Sequence, residues 1–274
     1  MAGRNRTQTP PGPGLHAAAS GLGQSRVAGR WATLAPWLLA FWLAGCASGP
    51  DPAMGPATAP SAESASGFAA GWEPVPLPGK RPTRYEVQTQ EGRPVWHADA
   101  QRSASMWRKR MRLPATSVGS FEFAWRVDQL VADAIVADAD QDDAAARILV
   151  AFDGDHGRLS TKNRLLFDLA DTLTGERPPY ATLMYVWADG RHPPETVLHS
   201  PRTDRVRKIV LESGPDHLGQ WRRHRRDLAA DFQRAFGEAP GPVLGVALMT
   251  DSDNTGGQAQ AWYADIALLP PTPR

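Results

Sequence analysis

Cysteine occurs once in 274 residues, at Cys46, which excludes an internal disulfide framework and any multi-cysteine zinc or iron–sulfur centre. Neither sign of charge dominates, since 30 Lys and Arg face 29 Asp and Glu. That balance argues against a chain built for nucleic acid, which would carry a clear basic excess. The one long apolar run, Trp31–Ala44, is fourteen residues and falls short of the ~20 needed to span a bilayer. The signatures G-x-S-x-G and H-E-x-x-H, a phosphate loop and a dinucleotide fingerprint are all missing. What is present is 42% hydrophobic residues and ten Trp, enough apolar surface for a real core. Gly and Pro, 25 of each, suit a turn-rich β protein.

Residues 1–45 hold Arg4, Arg6, Arg26 and Arg30 and no acid at all. A basic flank followed by a short apolar run has the form of a signal peptide. The run closes on Leu43-Ala44-Gly45-Cys46, which resembles the lipobox of bacterial lipoproteins and implies a lipid such as palmitate on Cys46. Ala47, in place of an Asp, resembles lipoproteins sent on to the outer membrane. The expected organisation is a signal peptide over 1–45 and a lipidated Cys with an Ala/Pro/Ser/Gly tether over 46–67. One folded domain follows over 68–270, then a tail over 271–274. Without the leader, 26 basic residues face 29 acidic ones, a net charge of −3. The expected location is the cell envelope, facing the periplasm, with the membrane as a partner through the lipid.

Within the domain, period-two alternation recurs. In Val118–Val127, Phe121, Phe123, Trp125 and Val127 point one way, and Glu122, Ala124 and Arg126 the other. Similar runs are Arg84–Thr89, Pro94–Ala98, Arg147–Phe152, Thr182–Trp187, Val206–Glu212, Val243–Thr250 and Gln260–Leu268. About eight or nine strands separated by turn residues point to an all-β, jelly-roll-like β-sandwich. Two helices are expected to pack on it. Ser160–Thr174 places Leu165, Leu166, Leu169 and Leu173 at helical spacing between a Ser/Thr cap and Gly175. Trp221–Phe236 lines up Trp221, Leu228, Phe232 and Phe236, with Arg223, Asp227 and Asp231 spaced as a self-paired charged face.

Acids concentrate in Asp133–Asp143, Asp153–Asp155 and Asp251–Asp253. The run Asp251-Ser252-Asp253-Asn254-Thr255-Gly256 copies the first half of a calcium loop, with oxygen donors at positions one, three and five. Position twelve is Trp262 where an EF-hand requires Glu, so an EF-hand is excluded. Two readings stay open: a calcium site at Asp251 and Asp253 completed by distant oxygens, or a β-turn held by its own Asp and Asn side chains with no cofactor. Paired carboxylates among Asp142, Asp143, Asp251 and Asp253 also permit acid/base chemistry, while Arg147 offers to neutralise Asp142 in an ion pair. The basic clusters Arg102–Arg112 and Arg222–Arg226 read as solvated faces or as an attraction to anionic head groups.

Gln141-Asp142-Asp143 with Arg147, Tyr185-Val186-Trp187, Trp221 with Arg226 to Phe232, Met249-Thr250-Asp251-Ser252-Asp253-Asn254-Thr255-Gly256 and Tyr263-Ala264-Asp265-Ile266 occur in this order. Together they resemble a bacterial secreted family known only as a domain of unknown function. The resemblance spans about Phe68 to Leu269 and implies an exported single-domain β-sandwich similar to carbohydrate-binding jelly rolls. It implies no catalytic residue. One departure is Asp227, where the family usually carries Asn after the Arg.

The resulting expectation is a lipid-anchored module that binds a glycan. Its polar contacts would be Asp142, Asp143, Arg147, Asp251, Asp253, Asn254 and Thr255, and Tyr185, Trp187 or Trp262 would form a stacking floor. A carboxylate- or metal-dependent hydrolase and an envelope scaffold are the alternatives, with catalysis behind binding.

Overall fold

A computed structural model describes residues 62–271; the leader, Cys46 and most of the tether lie outside the described residues. Twelve strands form two sheets. In chain order they are β1 (Trp72–Pro76), β2 (Arg84–Gln90), β3 (Arg93–Gln101), β4 (Ser105–Leu113), β5 (Ser120–Val127) and β6 (Ala144–Phe152). Then come β7 (Ala181–Ala188), β8 (Val197–His199), β9 (Val206–Ser213), β10 (Arg222–Arg226), β11 (Val243–Asp251) and β12 (Gln258–Leu269). The seven-stranded sheet runs β1-β4-β11-β6-β7-β9-β8 and the five-stranded one β10-β5-β12-β3-β2. Pairing is antiparallel except between β7 and β9. The domain is therefore the expected all-β jelly-roll-like sandwich.

Its core is aromatic. Phe121, Phe123 and Trp125 project from β5 towards Tyr185 and Trp187 on β7, with Phe123–Tyr185 and Trp125–Trp187 centroids 5.7 Å and 6.2 Å apart. Each large side chain so buried contributes roughly 1.5–3 kcal/mol. Alternation gives the other face of β5 to Glu122, Ala124 and Arg126.

All eight expected runs are strands, and four more were invisible to apolar alternation. In β4 the outward positions are Arg108, Arg110 and Arg112, while Trp107, Met111 and Leu113 pack on the core, so a strand read as a basic cluster. In β10 even the half-buried positions, Arg222, His224 and Arg226, are polar. The helix expected from Trp221 is corrected accordingly: 222–226 pair with β5, and only α3 (Leu228–Phe236) is helical. The supposed charged face dissolves with it. Arg223 pairs with Asp265, Asp227 caps α3 at the Ala230 amide, and Asp231 is buried. Asn and Asp serve equally as N-caps, so an Asn at 227 would cap α3 as Asp227 does.

α1 (Ala62–Ala69) precedes β1, and α2 (Thr161–Thr174) joins β6 to β7. Ser160 caps α2 and Gly175 ends it with φ 69°. Its leucine stripe does not pack on the sandwich as expected; Asn163 and Phe167 are its buried residues. Among the described residues no helix is long and apolar enough to cross a membrane.

Candidate functional site

The two acidic motifs meet at one end of the seven-stranded sheet, because β6 and β11 are neighbours with Met249 opposite Arg147 and Asp251 opposite Ala144. Ala146 and Ile148 face the core, so alternation sends Arg147 to the outer face. There it lies between two acids, in an ion pair with Asp251 (Nε–Oδ1 2.9 Å) and a hydrogen bond to Asp142 (Nη2–Oδ1 3.0 Å). It also donates to the Asp142 carbonyl at 2.8 Å. Lys208, from β9 two strands away, donates to Asp142 Oδ2 at 2.5 Å and to the Val136 carbonyl at 2.6 Å.

Asp143 does a different job. Its carboxylate accepts from the Asn254 amide (3.2 Å), the Thr255 amide (2.7 Å) and the Thr255 hydroxyl (2.8 Å), fixing the turn after Asp251. Asn254 donates to the Ala139 carbonyl and Asp253 pairs with Lys80. The acidic run 133–143 is thus held down over the outer face, where Val136 packs with Val186, Leu198 and Val210. Its negative charge answers the two cations that the sheet directs outward.

Burial controls the electrostatics here. Arg147 and Asp251 are 2% and 3% exposed, and Asp143 is fully buried. Burial opposes the charge of Arg147, yet Asp251 and Asp142 hold its pKa above the ordinary arginine range. Burial likewise lowers Lys208, helped by Arg147 and resisted by Asp142, to about 8. Burial lifts Asp251 to about 7; Arg147 opposes this, and Asp143 and Asp142 reinforce it. Asp142, in contrast, stays below its usual range because Arg147 and Lys208 outweigh its burial.

Asp143, Asp251 and Asp253 each place a carboxylate oxygen within 4.8 Å of the others. A divalent cation among them would lie against Arg147 and Lys80, and both Asp143 oxygens already accept hydrogen bonds. A hard cation needs six to eight free oxygens. The donor set does not fit calcium well.

The expected stacking floor is corrected. Tyr185 and Trp187 are 0% and 2% exposed between the sheets, with no face open to a ligand. Trp262 lies on the outside of the five-stranded sheet but is covered: His97 stacks on it at 5.0 Å and Arg126 lies 5.4 Å over its ring. Its neighbour Tyr263 points inward, where its hydroxyl meets Thr250 Oγ1 and donates to the Met249 carbonyl.

Two clusters escaped sequence reasoning. Asp231 accepts from Tyr185, Arg226 and Arg234, tying α3 to β10 beside it and to β7, 46 residues away in sequence. On β4, Arg108 and Arg110 both bind Glu73 and Glu176, from β1 and from the segment after α2. These four line an open groove of about 650 Å3 with the proline-rich end of β1, Met106 and Leu173. The alternating arginines of β4 were its one sequence signal.

The family description that matches residues 70–267 is "Protein of unknown function (DUF3047)". The chain belongs to that family. No curated protein sequence matches it. Among solved structures the DUF3047 domain is similar to the family 11 carbohydrate-binding module of the cellulosomal cellulase Lic26A-Cel5E of Clostridium thermocellum. There the identity is 8% and the TM-score 0.37, over 73% of this chain and 88% of that one. It is also similar to endoglucanase 3 of family GH12 from Trichoderma harzianum, at 10% identity and TM-score 0.40, over 72% and 91%. Likenesses this distant say nothing of activity; the sandwich assignment rests on the strand pairing itself.

Two outcomes follow from the buried cluster. Arg147→Met leaves Asp251 and Asp142 without their shared cation and is expected to destabilise the domain by about 3–5 kcal/mol in equilibrium denaturation. A loss below 1 kcal/mol would contradict the ion-pair assignment. Asp251 has a folded pKa of about 7, above the ordinary Asp value of roughly 3.9. Its protonated form therefore contributes stability that is complete at acid pH and lost as pH rises through 7. Thermal melts from pH 4 to 8 should show the wild type losing ground to Asp251→Asn over that window, against a constant offset if Asp251 is ionised throughout.

Proposed function

We propose that this DUF3047 domain is a lipid-anchored envelope module that binds a glycan in the groove beside β4. Anchoring through Cys46 follows from the lipobox-like run Leu43-Ala44-Gly45-Cys46. The observation that carries the binding reading is the groove itself, lined by Arg108, Arg110, Glu73 and Glu176 together with prolines and Leu173. Guanidinium and carboxylate planes side by side offer paired donors and acceptors, the pattern that vicinal sugar hydroxyls require. Apolar walls supply the contact for the ring faces. Arg110 and Glu176 remain 57% and 42% exposed at their side chains, so their outer polar atoms are open to a ligand.

The Asp142–Arg147–Asp251 cluster is assigned to stability in this reading, because its groups are closed to solvent and already paired. Hydrolysis is the weaker alternative. A glycosidase acid needs a raised pKa beside a second carboxylate at an open site. Glu73 is held low by Arg110 and Arg108, and Glu176 by Arg108 and Arg110, so neither is suited to protonate a leaving group at neutral pH. Asp251 has the raised pKa but no access.

A glycan array probed with the purified protein, followed by titration of the retained glycans, tests this. Wild type and Asp251→Asn should bind alike, while Arg110→Ala should weaken binding at least about tenfold, the loss of one charge-assisted hydrogen bond. Retention that is absent, or equal in all three proteins, would overturn the reading.

A further inference from the structure

Exposed large apolar side chains are concentrated on one element. Leu165, Leu166, Leu169 and Leu173, exposed by 72%, 37%, 55% and 63%, are the exposed large hydrophobics among the described residues, and all four lie on α2. Their spacing puts them in one stripe, because residues three and four apart share a helix face. The stripe lies beside the face that Asn163 and Phe167 bury, not on it. Lys162, exposed, precedes Leu165 and Leu166 by three and four residues and so stands at the N-terminal end of the same stripe. Isolated surface leucines need no explanation, but four in register on one short helix mark a docking face.

We propose that this face of α2 docks on a lipid bilayer, with Leu165, Leu166 and Leu169 among the acyl chains, Leu173 at the edge of the groove and Lys162 at the head groups. The inference rests on the anchoring of Cys46 proposed above, and three observations select the bilayer. First, Ala62 is sixteen residues from Cys46, a stretch that cannot exceed about 60 Å even when fully extended. An acylated Cys46 therefore keeps the domain permanently within reach of the surface, and the second contact becomes intramolecular. Second, β1, the first strand after the tether and α1, lines one groove together with Ala170 and Leu173 of α2. Third, the pattern of an apolar stripe with a flanking Lys is that of a helix lying in the membrane interface, where Lys extends its amine to the phosphates. The same geometry opens the groove beside β4 next to the membrane surface.

The test uses the mature protein purified from membranes and reconstituted in phosphatidylethanolamine/phosphatidylglycerol vesicles. Cys46 is the sole native cysteine, so once it is acylated Leu169→Cys supplies a single thiol for an environment-sensitive fluorophore. Arg225→Cys, on an exposed position of β10, is the control. Intact mass reports the state of Cys46 in the same samples. With Cys46 acylated, the label at 169 should shift to the blue and lose most of its emission to lipid-attached bromine quenchers, while the label at 225 stays water-like. An acylated protein whose 169 label behaves like the 225 label overturns the docking and leaves the anchor standing. Shielding from aqueous iodide without lipid quenching assigns the stripe to a protein partner or a second copy, and overturns it too. An unmodified Cys46 overturns the anchor and the docking together.

Discussion

One buried guanidinium sets the terms for the rest of this domain. Arg147 is directed to the outer face of the seven-stranded sheet by nothing more than strand alternation, and there it must find anions or cost several kcal/mol. It finds Asp142 on its own chain segment and Asp251 on the neighbouring strand. Asp142 in turn receives Lys208, and Asp143 binds the 254–255 turn. Five positions spread over more than a hundred residues thus converge on one end of the sandwich. The acidic run 133–143, which in isolation looks like a solvated loop, is bound over the outer face as a result.

That arrangement separates two things the motifs had seemed to join. Acids, an arginine and aromatics in recurring motifs suggest a binding site, and the acids and arginine do come together. The aromatics do not, because Tyr185 and Trp187 belong to the inner layer of β7 and build the core. The carboxylates are spent on Arg147, Lys208, Lys80 and backbone amides. Open polar groups with an apolar surround lie elsewhere, beside β4 and the end of α2. The closed ion-pair cluster and the open groove are thus built from different residues.

Much of this was legible from the chain. Eight strands announced themselves by apolar alternation, and a Ser or Thr at 160–161 and Gly175 bounded α2 to within a residue. The meeting of Asp142, Arg147 and Asp251 was foreseen as a combination of residue types, although their separation was not, since register between β6 and β11 is a long-range property. β4 was missed because Lys109 interrupts its apolar row between Trp107 and Met111, and β10 because its half-buried positions, Arg222, His224 and Arg226, are themselves polar, as an edge strand allows. The leucines of α2 misled in the opposite sense: helical spacing shows that residues share a face, not what covers it. Asp231 and the Glu73–Arg108–Glu176 cluster were out of reach, since each joins elements that only the tertiary fold brings together.

Native-state hydrogen exchange on the purified protein probes the closed character of the Arg147 cluster without any ligand. The amides of Ala144, Asn254 and Thr255 donate to Asp251 and Asp143 inside it. If the cluster is a rigid structural clasp, these three belong to the slowest class and exchange only through global unfolding, with the same free energy as the β5 and β7 core amides. Exchange within minutes at these positions while the core stays protected would show a segment that opens on its own, and the assignment of these acids to stability would fall.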